Sequence, residues 1–224
     1  METTLPVEII ELTIDNLQDD SESLKTLAIT CRTLVHRTRM HLFRRIIIRS
    51  QIETDRLCAL LHREPSLKRH IRHVTVRLDG VRPTVNGLIR PYSAGSLFDV
   101  VPLRLLPELP RVCNWSFIDS EPAIGVQEPW AECTPVEFRT LTVACFAQYA
   151  PVLELYLGPL QLSTCTMLAR LVASCSSLRL LSCKQLVFRE RGASYDHVKQ
   201  RLLSHDGPLT LEVGPSLLMR FDMF

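Results

Sequence analysis

The stretch PVLELYLGPLQLSTCTMLARLVASCSSLRLLSC, residues 151–183, decides the fold. It opens on a short alternating run, 153–157, of the kind that forms a strand with one buried face. A helical stretch, 165–173, follows, and a second strand is expected over 178–183. Val152, Leu155 and Leu157 return as Leu178, Leu181 and Cys183, offset by 26 residues at all three positions. A strand, a helix and a strand with the same apolar spacing predict parallel strands joined by a helical crossover.

The same unit is traceable upstream. Ile71, Val74 and Val76 form a weaker copy, and Leu109, Val112 and Asn114 a weaker one still. Each follows a helical stretch and often a Pro or Ser. The pattern predicts strands over 43–49, 73–78, 112–117 and 209–213, and helices over 54–61, 97–106, 138–149 and 195–203. Eight of the fourteen prolines lie between Pro83 and Pro135, which makes residues 82–135 an irregular connection without long elements. Residues 125–135 are expected to be loop. The fold class is α/β with a parallel sheet. Units of this length resemble a degenerate leucine-rich repeat, whose strand-plus-helix units stack into a solenoid. Ordinary α/β core patterning is the competing explanation.

The first 45 residues differ in character. Pro6 suits a first helical position, and Ile9, Ile10, Ile14 and Leu17 follow at near-helical spacing. DDSES, residues 19–23, is a turn rich in N-cap residues. Leu24, Leu27, Ala28 and Cys31 make a second apolar stripe. Thr33 is the expected cap of a third helix containing Leu34, Val35 and Leu42. Charge is divided here: every charged residue from Glu2 to Glu22 is acidic, and from Lys25 to Ile52 every one is basic. Such a stretch is either a solvated face partly paired with the acidic first helix or a patch for an acidic partner.

The run LPVEIIELTIDNLQDDSESLKTLAITCRTL, residues 5–34, resembles an F-box, and HLFRRIII, residues 41–48, resembles the exit from such a module into a first strand. The matching positions are Leu5, Pro6, Glu8, Ile9, Leu17, Leu24, Leu27, Cys31, Arg32 and Leu34. The resemblance implies a helical module over 1–45 and a leucine-rich-repeat-like domain over 46–224. It implies a substrate-recognition subunit of an SKP–cullin–F-box ubiquitin ligase. The SKP-type adaptor, and through it a cullin, would dock on Leu5, Pro6, Glu8, Ile9, Leu24, Leu27, Ala28, Cys31 and Leu34. A target protein would dock on the repeat region. Three short helices hold too few residues to bury a core alone, so apolar surface left for a partner is expected. Ile10, Ile14 and Leu17 are expected to pack inward instead.

Other classes find less in the sequence. A formal net charge of +2 does not by itself point to nucleic acid or membrane. There is no phosphate-cradling glycine loop, no GxSxG elbow and no HExxH pair, so no enzyme, cofactor or metal is expected. His70 and His73 lie among arginines at a helix-to-strand passage, and the adjacent Asp19 and Asp20 suit a turn. The eight cysteines show no paired short spacing and read as reduced thiols. Trp115 is expected in the core and Trp130 at a contact surface. No signal segment or apolar run of spanning length stands out, which suits a cytoplasmic or nuclear protein. The remaining alternatives are a protein-interaction scaffold outside any ubiquitin ligase and a nucleic-acid binder using the basic stretch.

Overall fold

A computed structural model describes residues 6–30, 32–78, 84–85, 88–89, 94–119, 136–149, 151–184, 186–188 and 210–213. The N-terminal module consists of α1 (Val7–Asn16), α2 (Ser21–Thr30), a 3-10 turn (Arg32–Leu34) and α3 (Val35–Leu42). Then β1 (Arg45–Ile48), α4 (Gln51–Arg63), a 3-10 turn (Pro65–Arg69) and β2 (His73–Arg77) follow. A small hairpin, β3 (Thr84–Val85) with β4 (Leu88–Ile89), precedes α5 (Ala94–Leu105) and β5 (Asn114–Ile118). The chain continues as α6 (Thr140–Tyr149), β6 (Glu154–Leu157), β7 (Leu160–Leu162), α7 (Cys165–Ser174), β8 (Leu180–Cys183), β9 (Leu186–Phe188) and β10 (Thr210–Val213). The molecule is thus a mixed structure of helices and parallel sheet.

Six strands form one sheet in the order β1-β2-β5-β6-β8-β10, with every pair parallel. The spatial order is the chain order. A doubly wound sheet would reverse direction at some point; this one does not. Parallel crossovers take one hand, so an in-line order returns every crossover helix to the same face. The neighbours α4 and α5, α5 and α6, and α6 and α7 pack side by side accordingly. A second, narrow parallel ladder joins β7 to β9, and Val136 bridges to Leu162 beside it.

The register explains the repeat and corrects one copy of it. Ile46, Val74, Trp115, Leu155 and Leu181 lie side by side, as do Ile48, Val76, Phe117, Leu157 and Cys183. Both rows face the helices and, Ile46 excepted, are buried. The third copy is therefore Val112, Trp115 and Phe117, not Leu109, Val112 and Asn114. Leu109 is buried as well, but it precedes the strand; Asn114 begins the strand on the opposite face. Phe43, Ile46 and Ile48 keep the same spacing and form a first copy.

The widest part of the interior, under β5, is filled by aromatic rings. Phe117 meets Phe138 edge-on at 5.1 Å and Phe98 at 5.4 Å, and Trp115 meets Phe146 at 5.5 Å between centroids. Trp115 is fully buried, as its place in a strand led one to expect. Beside the rings lies one buried acid. Asp99 of α5 accepts from the Arg139 backbone N–H at 2.9 Å and from the Thr142 hydroxyl at 2.6 Å. It thereby caps α6 from a neighbouring helix, where a negative charge is favoured by the helix dipole.

Local capping sets three further helix starts. Ser50 accepts from the Glu53 N–H of α4 at 3.2 Å, and Thr164 accepts from the Met167 N–H of α7 at 3.2 Å. Asp20 accepts from the N–H groups of Glu22 and Ser23 and so caps α2. Two expectations shift slightly. Pro6 stands at the cap of α1, just outside the helix, and α3 begins at Val35 without a side-chain cap rather than after Thr33. The expected loop over 125–135 and helix over 195–203 lie outside the described residues.

Two substitutions test this packing. Phe117→Ala is expected to cost about 3–5 kcal/mol in urea unfolding, because several rings lose a shared neighbour. Asp99→Ala is expected to cost about 1–3 kcal/mol by leaving the Thr142 hydroxyl and the Arg139 N–H without their acceptor.

Candidate interaction surfaces

Helix α1 has two apolar sides. Ile10, Ile14 and Leu17 share the inner face, with Ile14 buried and the other two half-buried. Ile9 and Leu12, three residues apart, share the outer face and are 49% and 59% exposed, and Val7 at the helix start is 60% exposed. Ile29 of α2 is 85% exposed. This is a large apolar load for the surface of so small a module, and such exposure commonly marks a contact site.

The residues singled out from the sequence divide accordingly. Pro6, Glu8 and Ile9 are exposed; Leu27, Ala28 and Leu34 are half-buried. Leu24 is 1% exposed, so it belongs to the interior and is not open to a partner. Its stripe looked uniform in sequence, but in α2 Leu24 lies on the inward side. Leu5 and Cys31 lie outside the described residues, as does Trp130. Val7, Leu12 and Ile29 were not picked out. The three-residue spacing of Ile9 and Leu12 was the available signal for the first helix.

Ion pairs fasten the module together and to the sheet. Asp15 receives the Arg37 guanidinium through both carboxylate oxygens, with Nε at 2.7 Å, and lies 2.8 Å from Nε2 of His41. The Arg37 hydrogen bond, then that from His41, holds the Asp15 carboxyl at about 2, below its ordinary 3.8. Asp19 accepts from Arg45 at 2.8 Å, and Gln18 accepts from Arg44 at 3.3 Å. Arg39 reaches Glu64 beyond α4 at 3.4 Å. Arg37 and Arg45 of the basic stretch are therefore paired with the acidic first helix and its turn, the partial pairing that one of the two sequence readings expected.

The sheet face turned away from the helices is the second surface. Its first row is Arg45, His73, Asn114, Glu154, Leu180 and Thr210; its second is Ile47, Thr75, Ser116, Tyr156 and Ser182. Asn114 donates to Glu154, and the Lys184 ammonium lies 5.4 Å from the centre of the Tyr156 ring. Burial first, then Arg45, Arg44 and Arg72, holds the His73 imidazole below its usual range. Ile47 and Leu180 apart, the side chains of these rows are polar or charged, over an apolar interior, which makes this a surface able to bind rather than a surface needing cover.

Among the described residues no cluster of three His, Cys, Asp or Glu side chains is placed to hold a metal, and no helix is long and apolar enough to cross a membrane. Of the eight cysteines, the six among the described residues form no disulfide with one another, and burial pushes the thiols of Cys175 and Cys183 up to about 12. No family model matches the chain, and no curated protein or solved structure does.

The Asp15 cluster has a definite pH signature. The folded-state value lies below the unfolded one, so the stabilisation is complete above roughly pH 4 and is lost as the pH falls through about 2. Asp15→Asn should lower the melting temperature by about 2–4 °C at neutral pH, the size expected for an ion pair worth ~1 kcal/mol. That gap should close as both proteins are melted at successively lower pH. In native alkylation at pH 8, Cys175 and Cys183 should remain unlabelled until the chain unfolds, read by mass spectrometry.

Proposed function

We propose that the chain is the target-recognition subunit of an SKP–cullin–F-box ubiquitin ligase and carries out no chemistry itself. The observation that carries this reading is the outer face of α1. Residues 5–34 resemble an F-box, and Pro6, Glu8 and Ile9, three of the positions that the resemblance assigns to the adaptor, stand exposed beside Val7 and Leu12. An SKP-type adaptor covering these apolar side chains would remove them from water and supply what a three-helix module lacks. The adaptor in turn would connect the chain to a cullin.

The remainder is read as a short, irregular leucine-rich-repeat-like solenoid. In its support stand the chain-ordered parallel sheet, one strand per unit, and the recurring inward positions at Phe43, Ile71, Val112, Val152 and Leu178. Its strands would offer their open face to a target protein, which is the usual use of such a scaffold. A target held there gains effective concentration near a ubiquitin-charged enzyme elsewhere on the ligase.

The test is retention of the full chain on a purified, immobilised SKP-type adaptor. The wild type should bind at moderate salt, since the interface is apolar. Ile9→Asp and the double variant Leu5→Ala, Pro6→Ala should lose about tenfold or more in affinity with an unchanged melting temperature. Ile47→Asp, on the sheet face, should bind like the wild type. A well-folded wild-type chain that is not retained overturns the proposal and favours an interaction scaffold outside the ligase.

A further inference from the structure

We propose that the β1–β2 end of the open sheet face is a docking site for an acidic segment of a partner protein, whose side-chain oxyanions seat among Arg44, Arg45, Arg72 and His73. This rests on the reading of the sheet as the target-binding face and names the chemistry of the target.

The backbone builds the site. Arg45 and His73 are register partners, so they stand about one strand spacing, ~4.8 Å, apart. Arg44 and Arg72 are the residues immediately before these two strands. The Arg44 carbonyl accepts from the N–H groups of both Arg72 and His73 at 3.0 Å, and the Arg72 carbonyl accepts from Cys113 and Asn114 at 3.1 Å. The Arg72 guanidinium donates to the Arg111 carbonyl at 3.2 Å, which orients its planar fork. Guanidinium groups fixed on adjacent strands suit the two oxygens of a carboxylate or phosphate.

The chain already places oxygens on half of this site. The turn between α1 and α2 lays the Asp19 carboxylate on Arg45 and the Gln18 carbonyl on Arg44. The Asp19 pair is largely exposed, with side chains 69% and 66% accessible, so a partner could displace it at small cost. Positive charge is concentrated here: the groups that depress His70 and His73, besides burial, are Arg44, Arg45, Arg69, Arg72, Arg111 and His36, all basic.

A protein segment fits better than a nucleic acid. Along the same row the side chains change from Arg45 and His73 to Asn114 and then Glu154, which lies three strand spacings, ~14 Å, from Arg45. A uniform polyanion tracking the face would meet that carboxylate. Tyr156 is the one Phe, Tyr or Trp in the two described rows of the face, and Lys184 sits over its ring, so there is no run of stacking platforms. A peptide can carry acid at one end and change character toward the other.

The experiment uses the full chain and three fluorescent peptide libraries with the same degenerate flanks. The central residues are Ser-Ser, Glu-Glu or phosphoserine-Ser, and a twenty-nucleotide oligo(dT) is a fourth probe. At least one acidic library should be retained about tenfold better than Ser-Ser. Retention of both acidic libraries assigns recognition to charge alone; retention of the phosphorylated one only assigns it to the dianion. Arg44→Gln with Arg72→Gln should abolish the preference while melting as the wild type does, and Arg44→Gln alone should weaken it if the double variant fails to fold. Asp19→Asn should strengthen it by removing the internal competitor. Equal retention of all three libraries overturns the proposal. So does preferential binding of oligo(dT) with a steep salt dependence. The arginine variants should still be retained by the SKP-type adaptor, so failure of adaptor binding and failure of peptide binding are read separately.

Discussion

The parallel ladder in chain order is the constraint from which the rest of the molecule follows. Each strand lies beside its predecessor without an offset, so one row of side chains must be inward across the whole sheet and the next row outward. The inward rows are closed by α4, α5, α6 and α7, which line up as neighbours because every crossover returns to the same side. Asp99, bridging α5 to the start of α6, is a buried polar tie within that layer, and the rings around Phe117 fill the volume beneath it. The outward rows over β1, β2, β5 and β6 are not part of that interior, which lets them hold arginine, histidine, asparagine and glutamate.

The helical module is attached to this sheet by charge as well as by packing. Phe43 leads from α3 into β1 and packs partly against the main core. Asp15 draws Arg37 and His41 inward, whereas Asp19 and Gln18 reach the arginines at the start of β1. The acidic first helix and the basic stretch after it are thus two halves of one set of interactions. Their outcome leaves the opposite side of α1, with Ile9 and Leu12, uncovered. In the proposed function the module therefore presents its apolar side to an adaptor, while its acidic turn rests on the arginines at the start of β1.

Much of this was legible in the amino-acid order. The strands of the main sheet were recognisable from short β-branched or alternating runs, and the paired copies at Val152 and Leu178 carried the parallel arrangement. The copy near Leu109 was misplaced by three residues. Leu109 and Val112 are both buried, so apolar character alone could not say which of them opens the unit, although the helix before it and the strand after it were both expected. The β7–β9 ladder went unseen because its strands are three residues long and buried almost throughout, leaving no alternation to read. The N-terminal stripes showed which residues are apolar but not which way they turn. Leu24 went to the interior and Ile9 to the surface for reasons of tertiary packing, which the period of an isolated helix does not contain. The division of charge was plain in sequence, whereas the particular partners of Arg37, Arg44 and Arg45 needed the fold.

The central claim is that the outer face of the N-terminal module is covered by an adaptor while the sheet remains open. Backbone hydrogen–deuterium exchange of the full chain, with and without a saturating purified SKP-type adaptor, tests it most directly. The account predicts added protection confined to α1 and α2, with unchanged exchange in the strands of the main sheet. Protection that appears on the sheet instead, or none anywhere in a folded chain, would contradict it.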